Sequence, residues 1–159
     1  MNPSIFKFDA KKFVGLKTSL RQTKNAPNNP ASVPELWQKV MPATAGLSNR
    51  LGLQRYALIT GDLPPHLQEE AFYYALVAVK TFDAVPESLL RIEIPERKAV
   101  KFTHFGLPQF VGKTTHKAVF EWLPQSKESL AVNEEIFVYP ESYDRNNPEG
   151  HFDYYLFLK

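Results

Sequence analysis

The chain has 159 residues, 43% of them hydrophobic and 23% charged, the balance of a soluble globular protein with room for one sizeable core or two fused halves. It has no cysteine, which excludes disulfides, thiolate chemistry and cysteine-based zinc sites. No apolar run approaches the ~18 residues of a membrane-spanning helix, and the opening MNPSIFKFDAKKF lacks the apolar centre of a signal peptide, so a cytoplasmic location is expected. Residues 1–24 carry six Lys/Arg and one Asp, while the remainder carries 13 basic and 16 acidic groups. A basic stretch this short is a solvated strand edge, and neither a basic face nor a helix-turn-helix pattern supports direct nucleic-acid binding.

In chain order, Phe8–Leu20 predicts a strand, with Gly15 marking a bulge or a close backbone contact. Residues 21–31 are too rich in Asn and Pro for regular structure. Ser32 as N-cap, Pro34 in the first turn and Glu35 three after the cap open a helix. Val33, Leu36, Trp37, Val40 and Met41 recur at helical spacing, and Pro42 should end it. Strands are predicted at Arg55–Thr60 and Ala71–Lys80, joined by a GDLPPH turn, then over Leu89–Phe105 with a break at Pro95. A second helix runs from about Gln109 to Leu123 and should stop at Pro124. Two strands, Glu134–Tyr139 and Phe152–Leu158, close the chain across a loop of Pro, Asn and Gly.

The layout repeats. Residues of about 8–80 and 89–159 each read strand, helix, strand, strand, and Phe72 aligns with Phe152. An offset of about 80 residues is longer than the ~20–50 of solenoid repeats. The expected fold is therefore α+β: one domain over 1–159, a duplicated strand–helix–strand–strand unit with antiparallel sheets around a pseudo-two-fold axis. The junction between halves is a natural ligand pocket.

Both closing strands are aromatic and carry a carboxylate. Side chains alternate between the faces of a strand, so Glu135, Phe137 and Tyr139 share one face, and Asp153, Tyr155 and Phe157 share one face of the next strand. If the two faces look the same way, the chain ends in an aromatic wall holding two negative charges. A buried carboxylate costs several kcal/mol unless compensated. Two accounts are open: a sheet-edge position paired with a nearby Lys or Arg, with Phe137 and Tyr155 as ordinary core, or a bound cation with Phe137 and Tyr155 stacking on it. Trp37, Tyr56, Tyr74, Phe102 and Trp122 are further wall candidates, for which core packing is an equally good account. His66, His104, His116 and His151 show no metal-ligand spacing. There is no phosphate loop, nucleotide fingerprint or nucleophile elbow. No metal and no cofactor are expected.

The ordered set IPERKAVKFTHFG, EWLPQS, EEIFVYP and FDYYLFLK resembles the GyrI-like effector-binding domain, found at the end of AraC-type and MerR-type regulators such as Rob and BmrR and also as free-standing proteins. Ile94, Pro95, Ala99, Val100, Phe102, His104 and Gly106 follow the family's order, with Lys101 inserted before Phe102. Trp122, Leu123, Pro124 and Ser126 match its helix end, and Glu135 and Ile136 its acidic strand. The resemblance implies a central aromatic pocket with a buried glutamate at Glu135, and a second acid and a tyrosine two residues later at Asp153 and Tyr155. Asp153 is shorter than the family's usual Glu, and Leu156-Phe157 replaces Ile-Pro. The implied function is a stand-alone receptor for amphipathic, lipophilic cations, acting in transcription regulation or drug sequestration through a protein partner. Binding rather than catalysis is expected. Two alternatives are a hydrolase of cyclopropane-type electrophilic toxins, using the same pocket Glu and Tyr, and a gyrase-inhibitor-like interaction module.

Overall fold

A computed structural model of the chain describes residues 3–20, 32–64 and 70–159, with only the backbone of Ser32. The expected Asn/Pro loop at 21–31, the capping side chain of Ser32 and His66 lie outside the described residues.

Runs of β-branched and aromatic residues form eight strands: β1 (Ser4–Phe8), β2 (Lys11–Ser19), β3 (Arg55–Thr60), β4 (Phe72–Val79), β5 (Leu90–Ile94), β6 (Arg97–Phe105), β7 (Leu130–Tyr139) and β8 (His151–Leu158). They make a single antiparallel sheet in the order β1-β6-β8-β7-β3-β4-β2-β5. The duplication is visible in that order. The first half contributes β3-β4-β2 and the second β6-β8-β7, and the halves meet where β3 pairs with β7. The outermost strands are exchanged: β1 precedes the first half but pairs with β6, and β5 precedes the second half but pairs with β2. The fold is thus the α+β duplication expected. The expected single strand at Phe8–Leu20 is instead two strands broken at Asp9-Ala10, and the first of them, Ser4–Phe8, carries no strong alternation to announce it.

One equivalence slips. Cross-strand partners share a face. Tyr73 pairs with Ile59 and Ile59 with Glu135, so Phe72 faces away from Glu135. Phe152 lies on the face of Glu135, since Leu156 pairs with it. Phe72 and Phe152 are therefore not related by the duplication, because a shift of one residue exchanges faces.

Neither helix stops at its proline. Helix α1 (Ser32–Thr44) runs past Pro42, and the Thr44 hydroxyl donates to the Val40 carbonyl at 2.8 Å, satisfying an acceptor the helix end would leave open. The second helical segment passes through a 3-10 turn (Pro108–Phe110), α2 (Val111–His116), a π-helical turn (Lys117–Trp122) and α3 (Leu123–Gln125). The Leu123 N–H bonds to Ala118, five residues back. Pro124 has no N–H to give, and its ring would press on the carbonyl four residues behind it. The wider turn accommodates it. The segment closes at Ser126, whose hydroxyl donates to the Leu123 carbonyl at 2.7 Å.

The helices lie on one face of the sheet, α1 against β2 and β4 and the second segment against β6. Between them β3 and β7 carry Ala57, Ile59, Glu135 and Phe137 on that face. The core there joins Leu36, Val40, Val100, Phe102, Ala118 and Tyr154. The opposite face buries Phe8, Phe13, Tyr56, Leu76, Ile94 and Phe157 with no described helix over it. Gly15 is required where β2 meets β4, because a Cβ there would sit 1.9 Å from the Ala75 carbonyl oxygen. After β3, Gly61 takes a φ of 80°, a conformation that favours glycine. The turn that follows is clasped by Asn133, whose side-chain oxygen accepts from the Leu63 N–H at 2.8 Å.

Candidate effector-binding site

Glu135 is the deepest carboxylate of the sheet, 5% exposed. Strand pairing places it between Ile59 of β3 and Leu156 of β8. One residue-pair along, Phe137 and Tyr154 face each other, their rings 5.0 Å apart. The Tyr154 hydroxyl reaches the Glu135 carboxylate in a very short hydrogen bond. No Lys or Arg among the described residues forms an ion pair with Glu135. Burial pushes its carboxyl up to about 7, the Tyr154 hydrogen bond works against that rise, and the nearby charge of Asp62 adds to it. Tyr154, fully buried, is itself held well above the usual phenol range by burial and by Glu135. The carboxyl is therefore partly protonated near neutral pH.

Aromatic rings line the same face of the sheet. Phe102 packs edge-on against Trp122 at 5.3 Å and tilted against Tyr154 at 6.2 Å. Trp37 donates its indole N–H to the Tyr73 hydroxyl at 3.0 Å and meets Tyr139 edge-on. Phe137 also stacks beside Tyr139. Five of the expected residues, Glu135, Phe137, Phe102, Trp37 and Trp122, thus lie on the helix-covered side.

The other four do not. Tyr155 pairs with Ile136, and Asp153 with Val138, so both point to the helix-free face, and the shared wall expected for Glu135 and Asp153 does not form. Asp153 accepts from the Thr103 hydroxyl at 2.9 Å. Tyr155 packs against Phe6 at 5.2 Å, and burial, with Asp153 and Tyr56, raises its hydroxyl to about 12. Tyr56 packs on Phe13 at 4.9 Å and donates to Gln54. Tyr74 lies with Phe72 under the Lys17 ammonium.

Two residues at the site escape the sequence reading. Tyr154, one position before Tyr155, is the tyrosine that meets Glu135. Asp62, on the turn after β3, is the acid whose field reaches it. The β7–β8 register, not the local sequence, puts the even-numbered residues of β8 on the Glu135 face. His104 serves another purpose. Its ring is buried between the Thr114 hydroxyl (2.7 Å) and the Leu107 carbonyl (2.9 Å), fastening β6 to the start of α2. No group of described residues has the makings of a metal site.

Comparison with curated proteins gives no match. Among solved structures, SAV2435 bound to tetraphenylphosphonium aligns with a TM-score of 0.75 at 14% identity, covering 100% of this chain and 94% of the other. The C-terminal domain of EcmrR aligns at 0.70 and 14% identity over 99% of this chain and 97% of that one. An integron cassette protein from the mobile metagenome of Vibrio cholerae aligns at 0.63 and 15% identity, over 99% and 95%. These share the fold. The family model for Cass2, the integron-associated effector binding protein, matches residues 4–156, and the chain belongs to that family of GyrI-like effector-binding domains.

Proposed function

We propose that the chain is a receptor for small lipophilic cations, with Glu135 as the counter-charge and Phe137, Phe102, Tyr154, Trp122 and Trp37 as the apolar wall. The observation that carries this is a carboxylate 5% exposed, set in aromatic rings at the junction of the two halves, with no cationic partner among the described residues. Such a group is a poor structural element and a good receptor for a cation that dehydrates cheaply. At ~4 Å and an effective dielectric near 20, the ion pair gains about 4 kcal/mol before desolvation. Flat or aryl-bearing cations add ring contacts. That SAV2435 is solved with tetraphenylphosphonium, a lipophilic cation, supports the same ligand class here.

The chemistry predicts proton linkage. With its carboxyl held at about 7, Glu135 is half-protonated at neutral pH, and an arriving cation expels the remaining proton. Tyr154 holds the ionised carboxylate in place by its hydrogen bond. Ligand occupancy would act on a partner or withdraw the compound from solution.

The test is a thermal-shift titration with tetraphenylphosphonium. A ligand at ~100 times its dissociation constant stabilises by about 2.7 kcal/mol, roughly 5–10 °C in Tm for a domain of this size. Glu135→Gln should abolish the shift. An undiminished shift in that variant, or none in the wild type across a panel of cations, would refute the reading.

A further inference from the structure

A second cluster of unsatisfied polar groups lies at the far end of the same junction. Arg55 pairs with Tyr139 across β3 and β7, on the same face as Glu135. Arg50 joins that face through its bridge to Val79. The Arg50 Nε and the Tyr143 hydroxyl are both buried with no hydrogen-bond partner among the described residues, an arrangement that is costly unless something supplies the missing acceptor. Arg55 donates to the Tyr143 carbonyl at 3.0 Å and sits 5.9 Å from its ring. None of the ion pairs among the described residues engages Arg50 or Arg55. Burial lowers the Arg50 guanidinium below its usual range, and the like charge of Arg55 lowers it further. The carboxylate beside Tyr143, that of Asp144, belongs to an exposed residue and already accepts from the Asn146 N–H at 2.9 Å.

We propose that Arg50, Arg55 and the Tyr143 hydroxyl form an oxyanion-binding cluster at the Tyr139 end of the β3–β7 junction, opposite the cation-binding end at Glu135. The inference rests on the receptor reading above and sharpens its ligand class. Glu135 and Tyr139 are four residues apart on one strand, about 13 Å at ~3.3 Å per residue. The preferred effector is therefore an elongated amphipathic zwitterion, with a cationic group and a carboxylate, sulfonate or phosphate separated by about that distance. Guanidinium forks and a phenol donor suit these oxyanions, which accept hydrogen bonds from both arginines without a proton transfer.

The experiment compares two probes by isothermal calorimetry: an ω-trimethylammonio carboxylate whose chain spans about 13 Å, and its methyl ester. The wild type should bind the carboxylate on the order of ten- to a hundredfold more tightly than the ester. Arg50→Gln and Arg55→Gln should each remove that advantage. Circular dichroism melts of the two variants report whether they are folded. The comparison of probes in the wild type needs no variant at all. If the ester binds in a Glu135-dependent manner and the carboxylate binds no better, the oxyanion site is overturned and the cation site stands. If neither probe binds, the zwitterion proposal is overturned, while the cation site stands or falls by the tetraphenylphosphonium titration.

Discussion

Tyr154 and Glu135 stand on neighbouring strands with their side chains on one face, and the phenol of the first donates to the carboxylate of the second. Burial drives both groups toward their neutral forms. Below about pH 7 the carboxyl is therefore mostly protonated beside the phenol, and it ionises as the pH rises through that value.

Stability should fall as pH rises through the range in which Glu135 ionises. Its carboxyl titrates at about 7 in the folded chain, against an ordinary value of 4.5. Between those values the native state holds a proton that the unfolded state has lost, so raising the pH favours unfolding. The wild type should lose up to roughly 3 kcal/mol between pH 5 and pH 8 relative to Glu135→Gln. Urea denaturation of both proteins at the two pH values measures it. Parallel profiles would show that Glu135 titrates normally.

Adjacent tyrosines should behave differently. Tyr154→Phe removes the donor to Glu135 and should cost about 1–3 kcal/mol by denaturation, because a buried acceptor loses its partner. It should also raise the Glu135 carboxyl further and weaken cation binding at neutral pH. Tyr155→Phe removes a hydroxyl from the other face and should leave affinity for tetraphenylphosphonium within about twofold, a change of under ~0.5 kcal/mol. Equal losses of affinity in both variants would contradict the assigned faces.

The acids separate in the same way. Asp62→Asn removes a charge that raises the Glu135 carboxyl, so the pH midpoint of the stability profile should move down. Asp153→Asn changes a group bonded to Thr103 on the opposite face, and should leave that midpoint where it is. Carboxyl chemical shifts followed by NMR resolve the two cases.

Gly15→Ala should destabilise by about 2–4 kcal/mol, since the added carbon meets the Ala75 carbonyl oxygen of the paired strand at 1.9 Å. Chemical denaturation of the variant is the check, and a change below ~0.5 kcal/mol would mean the strands part without cost.

The duplicated architecture and Glu135 were legible in the sequence, but the facing of β8 was not. Alternation reveals facing only when one side of a strand is wet. Phe152, Tyr154 and Leu156 are buried on one side, and on the other Phe157 is buried while Asp153 and Tyr155 are half-buried, so FDYYLFL offers only a weak polar face to set the parity. The resemblance fixed on the tyrosine two residues after Asp153, and cross-strand register, a long-range property, selected its neighbour. Pro42 and Pro124 also misled. Pro42 sits in the last turn of α1, which continues only to Thr44, and a widened turn accommodates Pro124 in the second segment. Asp62 could be found only by folding, because it lies on a turn that Asn133 clasps from β7.

The exchange of outer strands bears on how the chain comes together. The edge of the first half stays open until Leu90–Ile94 has been made, and β1 waits for Arg97–Phe105 before it finds a partner. Contacts so distant in sequence carry a large loop-closure entropy and slow folding. Nascent chains should pass through a stage in which the Lys11–Ser19 edge is bare, and its lysines at 11, 12 and 17 would then guard it against pairing with other chains.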